Sequence, residues 1–142
     1  MKKRNIQIST PVTGEEEWIA LKEPLKTGWL TSGPKVRDFE KSFAERHKVE
    51  YAVAVTSATS ALHLAMVVLD IKPGDEVIVP AFTWVSTANV VLYQGAKVIF
   101  CDIDPKTFNI DPNELASKIN SRTKAIIAVH LFGLCAPMDE IK

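Results

Sequence analysis

From residue 51 onward the sequence alternates short apolar runs rich in β-forming residues with longer stretches of helical spacing. This alternation restricts the possible folds more than any single motif. Residues 51–55 (YAVAV), 77–80 (VIVP), 97–101 (KVIFC) and 124–129 (KAIIAV) read as four strands. A helical stretch follows each: residues 61–69, residues 85–94, the segment carrying Leu115 and Ile119, and a start at Met138. Strand and helix repeated in this order specify an α/β fold, a mostly parallel sheet with helices on both faces and right-handed crossovers. Ligands of such sheets bind beyond the carboxyl ends of the strands. Ser57, Ala58, Thr59, residues 82–84, Asp102 and His130 all fall there.

Capping and turn chemistry punctuate these elements. Thr13 and Glu16 have capping-box spacing, and Glu15, Glu16 and Glu17 suit the first turn of a helix carrying Trp18, Leu21 and Leu25. Pro24 is expected to interrupt or kink that helix. GWLTSGP, residues 28–34, is a loop that ends with Pro34 at a first helical position. A second helix over residues 35–47 carries Val36, Phe39 and Phe43 on one face. Pro73, Gly74 and Asp75 form a turn, Gly95 ends a helix, and Asp111, Pro112 and Glu114 suit the start of another.

The junction between residues 51–55 and the following helix bears the chemistry. Thr56, Ser57, Thr59 and Ser60 place hydroxyls and free backbone N–H groups at the positive end of a helix, an arrangement that holds phosphate. The same hydroxyls also suit plain helix capping, and the residues alone leave both readings open. Trp84, after the next strand, faces the junction across the sheet edge if exposed, or packs in the core if not. An exposed indole beside a phosphate cup would hold a flat phosphorylated ring, of which pyridoxal phosphate is one. GWLTSGP reads either as cleft lining or as a helix connector.

Composition narrows the ligand classes. Seventeen basic and seventeen acidic side chains cancel, with no Lys/Arg stripe, so neither a nucleic acid nor a membrane surface is an expected partner. The amino-terminal MKKRNIQISTP has no apolar core of a leader, and no 18 apolar residues run together, which points to a cytoplasmic protein. Cys101 and Cys135 lie outside any CxxC pair and are expected as buried reduced thiols. His47, His63 and His130 are scattered, His63 suits a core or boundary position, and no metal is expected.

The blocks GWLTSGPKVRDFEKSFA, VTSATSALHLA, GDEVIVPAFTWVSTANVV, GAKVIFCDIDPKTFNID and TKAIIAVHLFG, in this order, resemble the DegT/DnrJ/StrS family of pyridoxal-phosphate-dependent nucleotide-sugar aminotransferases. The resemblance implies the large domain of fold-type-I pyridoxal-phosphate transferases. It also implies that Ser57, Ala58 and Thr59 hold the cofactor phosphate and that Trp84 stacks on its ring. By the same resemblance Leu30, Thr31, Ser32, Gly33 and Ser57 line the nucleotide-sugar site. The implied reaction passes an amino group from a donor such as glutamate to a nucleotide-linked keto-sugar, in amino-sugar and polysaccharide biosynthesis, within a homodimer.

The family's Schiff-base lysine and pyridinium-pairing aspartate match positions beyond residue 142, and no lysine here has a matching context. The resemblance therefore implies an N-terminal part. Residues 1–48 are a helical segment and residues 49–142 the start of the cofactor-binding domain, with no catalytic residue and no activity alone. Uncovered apolar surface would favour association. A dehydratase relative and a non-catalytic phosphate-binding or assembly module stay open as alternatives. A nicotinamide-binding domain lacks its G-x-G-x-x-G after the first strand.

Overall fold

A computed structural model describes residues 10–142 of the 142. The expectation drawn from MKKRNIQISTP, residues 1–11, falls for its first nine residues outside the described ones. The chain divides into two compact units after Ala54.

The first unit holds two helices. α1 is Glu15–Thr27 and starts one residue later than expected, with Gly14 at the N-cap and its N–H donated to Glu17 Oε2 at 2.6 Å. Pro24 does not end it. No residue of α1 is buried, so the Ala20 carbonyl that Pro24 leaves without a donor faces water. α2 is Pro34–His47, with Pro34 at its first turn. Along it Phe39, Phe43 and His47 line up, their ring centroids 5.9 and 4.3 Å apart in sequence order.

Residues 51–55 form no strand, which corrects the first of the four expected. Tyr51 and Val53 are largely exposed, and the Ala54 N–H goes to Glu40 Oε1 at 2.8 Å rather than into a ladder. A β-rich run becomes a strand only when a neighbouring strand accepts its hydrogen bonds.

The second unit is a three-stranded parallel sheet in the order β2-β1-β3, with β1 Glu76–Pro80, β2 Lys97–Cys101 and β3 Thr123–Ile126. β1 is central and buried throughout, as the apolar run VIVP anticipates. Its register with β2 pairs Glu76 with Lys97 and Pro80 with Cys101. Pro80 has no N–H to give and sits at the strand's last position, where the ladder ends.

Alternation along β1 divides the core between two faces. Val77 and Val79 pack with Met66, Val90, Val91 and Ile127 under α3 (Ala58–Val68) and α4 (Ser86–Leu92). Ile78 packs on the other face with Cys101, Ile110 and Leu115 under α5 (Pro112–Lys118), beside α6 (Met138–Ile141). Helices thus cover both faces, as expected of the α/β class. Asp111 caps α5 by accepting the Asn113 N–H at 2.9 Å, with Pro112 at the first turn. Gly95 takes φ +69 after α4, and an added Cβ would stand 3.0 Å from Pro73 Cγ. Cys101 is buried, its thiol pushed up by desolvation, but Cys135 is exposed on the loop after β3, against expectation. His63 is half-buried at the boundary, its ring edge-on to Tyr93.

Candidate functional site

In the second unit the start of α3, the start of α4 and the end of β3 enclose one cleft of about 480 Å³. Ala58, Thr59, Leu62, Thr83, Trp84 and His130 contribute to its walls. Each wall has a local cause. Ser57 is the N-cap of α3, extended at φ −162, and its Oγ accepts the Ser60 N–H at 3.1 Å. Thr56 Oγ1 and Ser57 Oγ both lie 3.1 Å from Ser60 Oγ, so three hydroxyls form one connected group. Capping therefore occurs as the bland reading holds, but it engages only the third amide of the helix. The N–H groups of Ala58 and Thr59 have no hydrogen-bond partner among the described residues. They stand at the positive end of the α3 dipole.

Trp84 is 77% exposed, so its indole is not part of the core. It precedes α4, whose first turn accepts through the Trp84 carbonyl from the Thr87 N–H at 3.0 Å. The backbone is fixed while the ring faces outward. Thr83 Oγ1 and Thr87 Oγ1, 3.2 Å apart, tie the same turn together. His130 ends the segment after β3, and its Nδ1 accepts the Ala136 N–H at 3.0 Å.

The cleft thus brings together Ala58, Thr59, Trp84 and His130. Ser57 stands beside it as the cap and is not a wall residue. Two expected neighbours do not reach it. Phe82 instead packs against Phe108, ring centroids 5.7 Å apart, and Asp102 accepts the Asp111 N–H through its carbonyl. Leu30, Thr31, Ser32 and Gly33 belong to the first unit, in the loop between α1 and α2. There Thr31 and Gly33 line a smaller hollow with Trp29 and Pro34. Gly33 is required by packing, because a Cβ would stand 2.9 Å from Trp29 Cε3.

Sequence reading missed Asn109. It is 2% exposed, donates through Nδ2 to the Leu134 and Cys135 carbonyls, and accepts the Leu131 N–H at Oδ1. A polar residue in a turn carries no sequence mark of partners 22 to 26 positions away. Glu76 lies outside the strand expected over residues 77–80, yet it is the first residue of β1 and is buried among Lys97, Asn120 and Arg122.

The volume, the unpaired amides at a helix start and the exposed aromatic suit a planar ligand with an anionic tail. A cleft of this size lies within the roughly 300–1,000 Å³ of small-molecule sites. The residues present therefore fit the phosphate and ring of pyridoxal phosphate.

Comparison with known proteins adds an independent line. The model of the DegT/DnrJ/EryC1/StrS aminotransferase family matches residues 11–142. The spore coat polysaccharide biosynthesis protein SpsC of Bacillus subtilis (strain 168) is 46% identical over 143 residues, covering 99% of this chain and 37% of that protein. A Streptococcus pneumoniae protein described as a sugar aminotransferase, Spr1654, superposes with TM-score 0.90 at 37% identity in its PMP and PLP forms, over 97% of this chain and 35% of that one. A GDP-4-keto-6-deoxymannose-3-dehydratase, solved with a trapped PLP-glutamate geminal diamine, superposes with TM-score 0.89 at 34% identity, over 96% of this chain and 37% of that one. The chain thus spans little more than a third of the length of these relatives.

Proposed function

Because the chain belongs to the DegT/DnrJ/EryC1/StrS aminotransferase family, whose solved neighbours include PLP and PMP forms, we propose that it supplies the phosphate- and ring-binding part of a nucleotide-sugar aminotransferase. The observation that carries the reading is one cleft shared by the unpaired Ala58 and Thr59 amides and the exposed Trp84 indole. Residues 49–142 form the first part of the cofactor-binding domain. Ala58 and Thr59 donate their N–H groups to the phosphate, Ser57 orients them as the helix cap, and Trp84 covers one face of the ring. When bound, pyridoxal 5′-phosphate supplies the carbonyl that takes up and passes on the amino group. Contacts to the sugar nucleotide are proposed for Leu30, Thr31, Ser32 and Gly33 in the first unit and, separately, for Ser57 in the second.

The proposed substrates are a nucleoside-diphosphate keto-sugar and an amino donor such as glutamate, in amino-sugar supply to a cell-surface polysaccharide. The SpsC relative's name supports that setting. The working form is a cytoplasmic homodimer. No lysine among the described residues lines the cleft, so the reading assigns covalent attachment of the cofactor to a lysine elsewhere and turnover to a site these residues do not complete.

Titrating the chain with pyridoxal 5′-phosphate tests this. A ligand that prefers the folded state adds about 2.7 kcal/mol at a hundredfold excess over its Kd, so the melting temperature should rise and saturate. No saturable rise would overturn the reading. The dehydratase neighbour favours a second reading, in which a keto-sugar loses water rather than gaining an amine. In a protein that joins these residues to the rest of the site, assaying product from a GDP-linked keto-sugar with glutamate, for nitrogen or for loss of oxygen, separates the two.

A further inference from the structure

His130 meets the cleft with one ring nitrogen already committed. Its Nδ1 accepts the Ala136 N–H at 3.0 Å, and a backbone amide has only a proton to offer, so Nδ1 carries the lone pair. A neutral imidazole then bears its proton on Nε2. Nε2 has no hydrogen-bond partner among the described residues, and His130 lines the cleft with Ala58, Thr59 and Trp84. The neutral His130 ring therefore offers the cleft a donor of fixed identity.

The loop that holds this tautomer is itself held. Asn109 accepts the N–H of Leu131, the residue after His130, at 3.0 Å. It donates to the carbonyl of Cys135, the residue before Ala136, at 3.3 Å and to that of Leu134 at 3.0 Å. One buried amide so grips both sides of the Ala136–His130 contact. Within the gripped segment Phe132 takes φ +52, a left-handed conformation that a bulky residue keeps only when its surroundings impose it.

We infer that His130 binds the cleft's occupant as a hydrogen-bond donor, its Nε2–H addressing an acceptor oxygen of the phosphorylated ring, with Asn109 as the positioning residue; this rests on the cofactor reading given above. The oxygen belongs either to the ring substituent or to the phosphate, and both are acceptors that a neutral donor serves without adding charge beside the α3 amides.

The test compares His130→Asn with His130→Gln in the full chain. The Asn amide oxygen stands near Nδ1 and keeps the Ala136 contact without a donor reaching the Nε2 position, whereas Gln reaches that position. The probe is 4-deoxypyridoxine 5′-phosphate, which has no aldehyde and forms no adducts with surface lysines; inorganic phosphate is the second probe. His130→Asn should weaken binding of the ring phosphate about tenfold, the size of one hydrogen bond, and His130→Gln should restore most of it. If inorganic phosphate weakens in parallel the acceptor is the phosphate, and if it does not the acceptor is on the ring. Long-range ¹H–¹⁵N spectra should show the His130 proton on Nε2 in the wild type and a mixture of tautomers in Asn109→Asp, which keeps the acceptor and loses both donors. Unchanged affinity in His130→Asn, or a proton on Nδ1, overturns the inference and leaves the cofactor reading standing. Failure of the wild type to bind the ring phosphate overturns that reading, and this one with it.

Discussion

The two ends of the sheet treat polar groups in opposite ways. At the amino end, the buried Glu76 carboxylate accepts from Lys97 Nζ at 3.3 Å, from Arg122 Nε and Nη2 at 3.1 and 2.9 Å, and from Asn120 Nδ2 at 2.8 Å. It thereby ties the first residues of β1 and β2 to the turn that leads into β3. At the carboxyl end, the Ala58 and Thr59 amides, the His130 Nε2 and the Trp84 indole have no hydrogen-bond partner among the described residues around an open cleft. A closed polar cluster contributes to one fixed structure, whereas donors held in place but unpaired are available to a ligand. The difference lies in satisfaction, not in polarity.

The core between the two ends bears the largest expected effect. Ile78→Ala removes a fully buried side chain from the central strand and should cost about 2–5 kcal/mol. Urea denaturation should show both ends lost in one transition, and two separated transitions would show that they are not joined through β1. Ser57→Ala should cost about 1 kcal/mol of stability through the lost cap. It should also weaken phosphate binding, because it loosens the amides that face the cleft. Trp84→Ala should change stability by less than about 0.5 kcal/mol, since its indole is exposed, and weaken ring binding by about 0.5–1.5 kcal/mol. Equal losses in stability and binding for Trp84→Ala would abolish the contrast between the ends.

Glu76 is read as a slope instead of a size. The Asn120 hydrogen bond, followed by those from Arg122 and Lys97, lowers its carboxyl from the ordinary 4.5 to about 2, against the burial that acts the other way. The folded pKa lies below the unfolded one, so the contribution is complete above pH 4.5 and is lost as pH falls from there toward 2. Thermal melts over that window should fall more steeply for the wild type than for Glu76→Gln.

Much of the second unit was readable from local spacing. Asp111 with Pro112 marked α5, KVIFC marked β2, and the apolar VIVP marked the buried central strand, because caps, turns and burial on both faces leave their pattern within a few residues. YAVAV had the same composition as a strand and did not become one, since its ladder needs a neighbour that composition does not specify. Cys135, expected as a buried thiol, is exposed on a segment whose Leu134 and Cys135 carbonyls both accept from Asn109, a partner 25 to 26 positions away that local sequence does not mark. For the cleft, the residues predict the helix cap and the aromatic; that Trp84 faces outward is a property of the folded chain alone.

By itself, then, the sequence determined the α/β class, the order of parallel elements from residue 76 onward and the hydroxyl-capped start of α3. These rest on periodicity and on contacts closed within one turn of chain. Tertiary structure alone decided that Glu76 would be enclosed by groups up to 46 residues away, that Asn109 would set the loop after β3, and that of the residues at the strands' carboxyl edge Trp84 and His130 would line the cleft while Phe82 and Asp102 would not. Those outcomes depend on which distant groups meet once the sheet has formed, and a buried polar group is placed by the partner that satisfies it, not by its neighbours in sequence.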